Sequence, residues 1–171
     1  HIDGKEVFLG PNEAIEIQDA LKSDIAMCLD ECPPANATEQ EIAQAVDRST
    51  RWAKVCMDAW TNTNAMDEGR KLFGIVQGGR FSELRKRSAE DLQAVGFPGY
   101  AIGGVSVGEP EHEMLEQVIN TVKFLPQHLP RYVMGVGTPT QLLKMIGYGV
   151  DMFDCVLPSR AARHGTAYTS S

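Results

Sequence analysis

The residues of this 171-residue chain best placed to do chemistry are two aspartates, a glutamine and a set of glycine openings. Asp154 stands in Met152-Phe153-Asp154-Cys155-Val156, an apolar setting where an unpaired carboxylate is expensive to bury. An ionised group so placed is expected to have a partner or a task. Asp30 closes a short apolar run, and Gln77 precedes Gly78-Gly79. Gly103-Gly104 interrupts a run that continues to Gly108-Glu109, and Gly135-Val136-Gly137 follows Met134. Glycines let backbone approach a planar ring, whose edges N–H groups can then read, and Tyr132 and Met134 could wall a flat aromatic ligand beside such an opening. Each residue also has an ordinary explanation. Asp30 suits a turn before Pro33, Gln77 a satisfied core amide, the glycine pairs bulges or tight turns, and Tyr132 and Met134 plain packing. A lone Gly-x-Gly is a weak phosphate signal.

The elements that must position these residues follow from periodicity. A helix is expected after Pro11-Asn12, with Ala14, Ile17 and Leu21 on one face. A short apolar run over residues 24–29 follows, and Pro33-Pro34 breaks any regular element. Thr38 and Glu41 form a capping box. The helix they open carries Ile42, Val46, Ser49, Trp52, Ala53, Cys56 and Trp60 at helical spacing. Strands are expected over residues 71–77, 100–107, 131–136 and 152–156. Between them lie helices over 82–95, with Leu84, Ser88, Leu92 and Val95 on one side, ended by Gly96, and over 111–125. Another, capped by Thr138, carries Leu142, Leu143 and Ile146. The stretch from Pro158 onward reads as a basic loop.

This β-α alternation, preceded by a helix, implies a parallel sheet. Five strands fit an open sheet or part of a (β/α)8 barrel, a fold of about 250 residues, of which this chain would hold roughly five of the eight units. In either architecture function gathers at strand carboxyl ends. Asp30 ends the first strand, Gln77 the second and Asp154 lies on the fifth, with the glycine openings on the third and fourth. Two carboxylates, an amide and two openings in that register describe a pocket.

Composition narrows the partners. A chain with 43% hydrophobic and 23% charged residues is neither disordered, collagen-like nor a small disulfide scaffold. The apolar runs are strand-sized, short of the ~18–20 residues of a membrane span, and no signal peptide is expected. Sixteen Lys and Arg against 23 Asp and Glu leave a net charge of −7, so a basic nucleic-acid glove is not the first reading, although a local basic patch can still bind RNA. Of Cys28, Cys32, Cys56 and Cys155, only the first two are closely spaced, and reduced thiols are expected. His1 is no natural initiator and Ser170-Ser171 no terminator, so an internal piece of a longer protein is expected.

Four motifs, in order along the chain, resemble the bacterial tRNA-guanine transglycosylases. They are Phe73-Gly74-Ile75-Val76-Gln77-Gly78-Gly79, Tyr100-Ala101-Ile102-Gly103-Gly104-Val105-Ser106-Val107-Gly108-Glu109, Tyr132-Val133-Met134-Gly135-Val136-Gly137-Thr138-Pro139 and Gly149-Val150-Asp151-Met152-Phe153-Asp154-Cys155-Val156-Leu157-Pro158. The resemblance covers essentially the whole chain, and the chain about the middle of the family's length. It implies a (β/α)8 barrel with a zinc-binding insertion near the C-terminus, in a cytoplasmic homodimer. It implies exchange of guanine at the wobble position of the tRNA anticodon for a 7-deazaguanine, a step toward queuosine. Residues 1–171 would then be the central and C-terminal part of the catalytic domain, with the zinc-binding subdomain outside this chain.

Carried over by motif, the resemblance implies Asp154 as the nucleophile that attacks the ribose C1′, forming a covalent intermediate of the glycosidase type. It implies Asp30 as reader of the base's N–H edge, and Gln77 and the Gly104 N–H as readers of its carbonyl. Met134 would lie under the ring with Gly135 giving room, and Val105 and Glu109 would line the base pocket. Val105 stands where leucine is common. Cys32 and Val107 follow the bacterial pattern, which favours 7-aminomethyl-7-deazaguanine (preQ1) over bulkier queuine. Arg160 and Arg163 would contact the anticodon loop, a use suited to guanidinium. The family's general base and a second stacking aromatic fall before His1, and its three Cys and one His zinc ligands after Ser171. No metal ligands are therefore expected here, no cofactor enters the exchange chemistry, and this chain alone is expected to be inactive. The alternative is a non-catalytic tRNA-binding homologue, against which Asp154 and Gln77 argue.

Overall fold

The capping box at Thr38 opens the longest helix, α2 (Glu39–Thr61). The Glu41 N–H donates to Thr38 Oγ1 at 3.3 Å, and the Thr38 N–H to Glu41 Oε2 at 2.8 Å. Its buried stripe is Ile42, Ala45, Val46, Ser49, Ala53, Cys56 and Trp60; Trp52 is half-buried. The computed structural model describes residues 6–169, so His1, Ser170 and Ser171 lie outside the described residues.

The remaining elements are α1 (Pro11–Ala20), β1 (Ile25–Met27), β2 (Lys71–Val76), α3 (Ser82–Val95), β3 (Tyr100–Ile102), α4 (Glu111–Val122), β4 (Arg131–Val133), α5 (Pro139–Gly147), β5 (Met152–Phe153) and α6 (Leu157–Arg163). All pairings are parallel, in the order β1-β2-β3-β4-β5. A doubly wound sheet reverses its strand order at a switch point. Here consecutive strands are always neighbours, and α1, α2, α3 and α4 pack each against the next. The result is a curled half-barrel, part of a (β/α)8 architecture. Its core runs from Ala26, Leu72 and Ile75 through Ala101 and Ile102 to Val133.

Several expectations are corrected. Each strand stops short of its polar residue, because the ladder ends where the chain opens into glycine turns. Asp30, Gln77, Gly103, Met134 and Asp154 lie one to three residues past the strands. In α1 the buried residues are Ala14 and Ile15, whereas Ile17 is 52% and Leu21 71% exposed. Gln18 explains the rotation: its side chain pairs with both the N–H and the carbonyl of Met27 on β1. On α5 only Met145 is buried, and Leu143 and Ile146 face outward. Helix α4 ends three residues earlier than expected. From Pro158 to Arg163 the segment is not a loop: it lies in α6, with Pro158 in the first turn, where a missing N–H costs nothing, and the expected loop begins only at residue 164.

The amino end of the half-barrel is held by arginines. Arg70 lies over the Trp60 ring and pairs with Asp19 and Glu68, holding the Asp19 carboxyl below its usual range. Arg131 donates to the carbonyls of Leu125 and Gly149. Among the described residues no helix is long and apolar enough to cross a membrane.

Candidate active site

Gln77 leaves β2 pointing into the carboxyl-end rim and is 1% exposed. Its backbone N–H donates to Ser88 Oγ on α3 at 3.1 Å. Its side-chain Nε2 donates to Asp30 Oδ2 at 2.6 Å. That contact joins two of the expected site residues across the β1–β2 boundary. Asp30 is half-buried, and desolvation pushes its carboxyl above the ordinary aspartate range, opposed by the Gln77 hydrogen bond.

Gly104 has φ +63°, and a Cβ built on it would lie 2.6 Å from Gln77 Oε1. Only glycine fits both the left-handed conformation and the approach to the amide. The Gly104 N–H reaches the Cys32 thiol, a hydrogen bond that works against the desolvation raising that thiol. Gln77, Gly104, Val107 and Glu109 help line a cavity of about 10 Å³, room for about one water and not for a nucleobase.

Past Gly104 the loop secures itself. Glu109 accepts from the Ser106 N–H and, at 2.8 Å, from the Val107 N–H, so its carboxylate clamps its own loop. Ser106, at φ +59°, donates from Oγ to the Gly135 carbonyl at 3.0 Å. Val105 is buried with the core.

On the far side, Asp154 Oδ1 accepts from the Gly135 N–H at 3.1 Å. Tyr132 on β4 and Met134 just past its end both pack on the core. The Tyr132 hydroxyl bonds to Asp154; desolvation, then that bond and the aspartate's charge, push the phenol up to about 12. Asp154 is exposed, which corrects the expectation of burial among apolar neighbours. The apolar residues beside it on the chain turn elsewhere, and its charge stays in water.

The expected residues thus form two contact groups. Asp30, Gln77 and Gly104 make one, Gly135 and Asp154 the other, and the loop from Gly103 to Glu109 touches both. Arg160 and Arg163 are exposed on α6, one helical turn apart. The four cysteines are free, and among the described residues no three His, Cys, Asp or Glu side chains gather in a metal-ligating cluster.

Sequence reasoning missed Arg85. It is fully buried, and burial pushes its guanidinium down to about 10. It donates to the carbonyls of Gly79, Gly103 and Gly104 and to Gln117 Oε1. A signal existed: Arg85, Ser88, Ala89 and Leu92 make the i, i+3, i+4, i+7 stripe of α3, one position around the helix from the stripe that counting apolar residues selects.

A family model described as queuine tRNA-ribosyltransferase matches residues 1–171. A queuine tRNA-ribosyltransferase of Oceanobacillus iheyensis is 53% identical over 171 residues, all of this chain and 44% of the relative. Proteins of the same description from Bacillus cytotoxicus and Staphylococcus aureus are 51% and 49% identical over 170 residues, 99% of this chain and 44% of each relative. The chain therefore spans under half the length of the curated relatives it matches. The parallel half-barrel lies within the matched residues, and the chain belongs to the queuine tRNA-ribosyltransferase family.

Proposed function

We propose that the protein is a tRNA-guanine transglycosylase acting at the anticodon wobble guanine, and that residues 1–171 are the central and C-terminal part of its catalytic barrel. The observation that carries this reading is Asp154: an exposed carboxylate at a strand carboxyl end, oriented by the Gly135 N–H and the Tyr132 hydroxyl.

In the proposed reaction an Asp154 oxygen attacks the ribose C1′. The C1′–N9 bond breaks and its electron pair leaves with guanine, which takes up a proton. The incoming 7-deazaguanine then attacks C1′ through its ring nitrogen, losing that nitrogen's proton as the ester to Asp154 breaks. Each displacement inverts C1′, so the net configuration is retained, and no oxidant or energy source is consumed. Splitting one displacement into two through a covalent ester is the gain.

Asp30 would accept from the base's N–H edge while Gln77 and the Gly104 N–H donate to its carbonyl. Met134 would form the apolar floor, beside Gly135. Glu109 would act through the loop it clamps, and Val105 from behind the pocket wall. Cys32 and Val107 support preQ1 as the incoming base. Arg160 and Arg163 would meet anticodon-loop phosphates or base edges. The family's zinc has no candidate ligand cluster among the described residues, so no step here passes through it.

The test uses the full-length protein with tRNA bearing the wobble guanine. Asp154→Asn keeps the shape but removes the anionic nucleophile, and kcat is expected to fall at least ~10³-fold with little change in KM. A covalent RNA–protein adduct, trapped by the parent on denaturing gels, should disappear. Near-normal exchange by Asp154→Asn would assign the nucleophile elsewhere; a parent without exchange activity but with tRNA affinity would support the non-catalytic alternative.

A further inference from the structure

We infer that Arg85 is a positioning residue that sets the hydrogen-bond polarity of the base pocket, by drawing the carbonyls of Gly103 and Gly104 out of it and so turning the Gly104 and Val105 N–H groups toward the bound base. The inference rests on the base-exchange reading above and deepens it.

Arg85 is 0% exposed. A buried charge is ordinarily paired with an opposite one, yet among the described residues all its hydrogen-bond acceptors are neutral. Three are backbone carbonyls from the two glycine turns of the site: Gly79 at 2.5 Å, Gly103 at 3.1 Å and Gly104 at 3.2 Å. Gln117 on α4 fixes the guanidinium from behind at 2.9 Å. A lone ammonium could not span these directions; the planar fork of arginine can.

The consequence comes from peptide geometry. In a trans peptide the C=O and the following N–H point opposite ways. With the Gly103 carbonyl on Arg85, the Gly104 N–H must face away from it. That N–H does face the rim, where it meets the Cys32 thiol. The Gly104 carbonyl likewise fixes the Val105 N–H. Two successive carbonyls on one side leave two successive amides on the other, a concave arrangement suited to an electron-rich oxygen. The left-handed φ of Gly104 is what permits it. Without Arg85, the Gly103–Gly104 peptide is free to turn over, presenting an acceptor where a donor stood. A 6-oxo base would lose its partner, and a 6-amino base would gain one.

The test compares binding of guanine and 2,6-diaminopurine, which replaces the carbonyl by an amine, to the full-length protein by titration calorimetry. The parent is expected to prefer guanine, and Arg85→Met to lose about 10–100-fold of that preference, the scale of one buried polar group left unmatched. The readout is the ratio of affinities, because general loosening of the fold weakens both bases alike. Arg85→Lys, which keeps the charge but cannot serve three carbonyls, should fall between. If neither variant accumulates as folded protein, Gln117→Met removes only the rear support and should shift the ratio the same way by a smaller factor. A parent that does not prefer guanine overturns the base-exchange reading. A parent that does, beside folded variants with an unchanged ratio, overturns the role given to Arg85 alone.

Discussion

Asp30 carries its charge at a cost, and the cost is measurable. Desolvation raises its folded-state pKa above the unfolded value near ~3.9, so the folded state holds the proton more tightly. The penalty is absent below the unfolded pKa, grows as pH rises through the folded value, and is fully present above it. Asp30→Asn should therefore raise the thermal midpoint of the full-length protein at pH 7 and leave it nearly unchanged at pH 3. The same variant should weaken discrimination among bases, since its amide can still meet Gln77 but no longer presents two acceptors. Calorimetric melts at the two pH values check the first half and base competition the second. Tyr132 supports the other aspartate. Tyr132→Phe removes one hydroxyl from a charged acceptor, and kcat for exchange should fall about 10–100-fold with affinity for the free base unchanged; an equal loss in both would place the tyrosine in base binding instead. The sequence makes Asp30, Gln77 and Asp154 legible, because polar groups at apolar strand ends stand out. It hides Arg85, since an arginine within a helix reads as surface, and the work of the Tyr132 hydroxyl, because its partner is 22 positions away.

At the scale of elements, the order of strands and helices is readable from apolar periodicity, but their ends are not. Hydrophobic runs continue through Val105, Val136 and Val156 after the ladder has stopped, because those residues pack or turn without pairing. The exposed faces of α1 and α5 have a similar origin: a periodic stripe shows which side can be buried, not whether a neighbour lies against it. Close packing inside the sheet layer makes a sharper prediction. A Cβ on Gly74 of β2 would lie 2.7 Å from the Phe97 ring, itself buried. Gly74→Ala should cost about 1–3 kcal/mol through overpacking. Gly74→Ala with Phe97→Leu should cost less than the two single changes added together, as read from denaturant melts.

For the whole molecule, the uneven ladder has a dynamic consequence. β2 pairs along six residues and has neighbours on both sides; β5 pairs along two and closes one margin of the sheet. Local opening is cheapest where few bonds and few covered neighbours resist it. Amide hydrogen exchange in the full-length protein should therefore be slowest in β2 and β3 and faster through residues 152–156, the segment that bears Asp154. The proposed nucleophile would then stand beside the shortest strand of the sheet, kept in place by the Gly135 amide and the Tyr132 hydroxyl more than by that two-residue ladder. A tRNA captured as the covalent adduct would tether that segment to the ribose. Its deuterium uptake should then slow far more than that of β2, where the ladder already limits exchange.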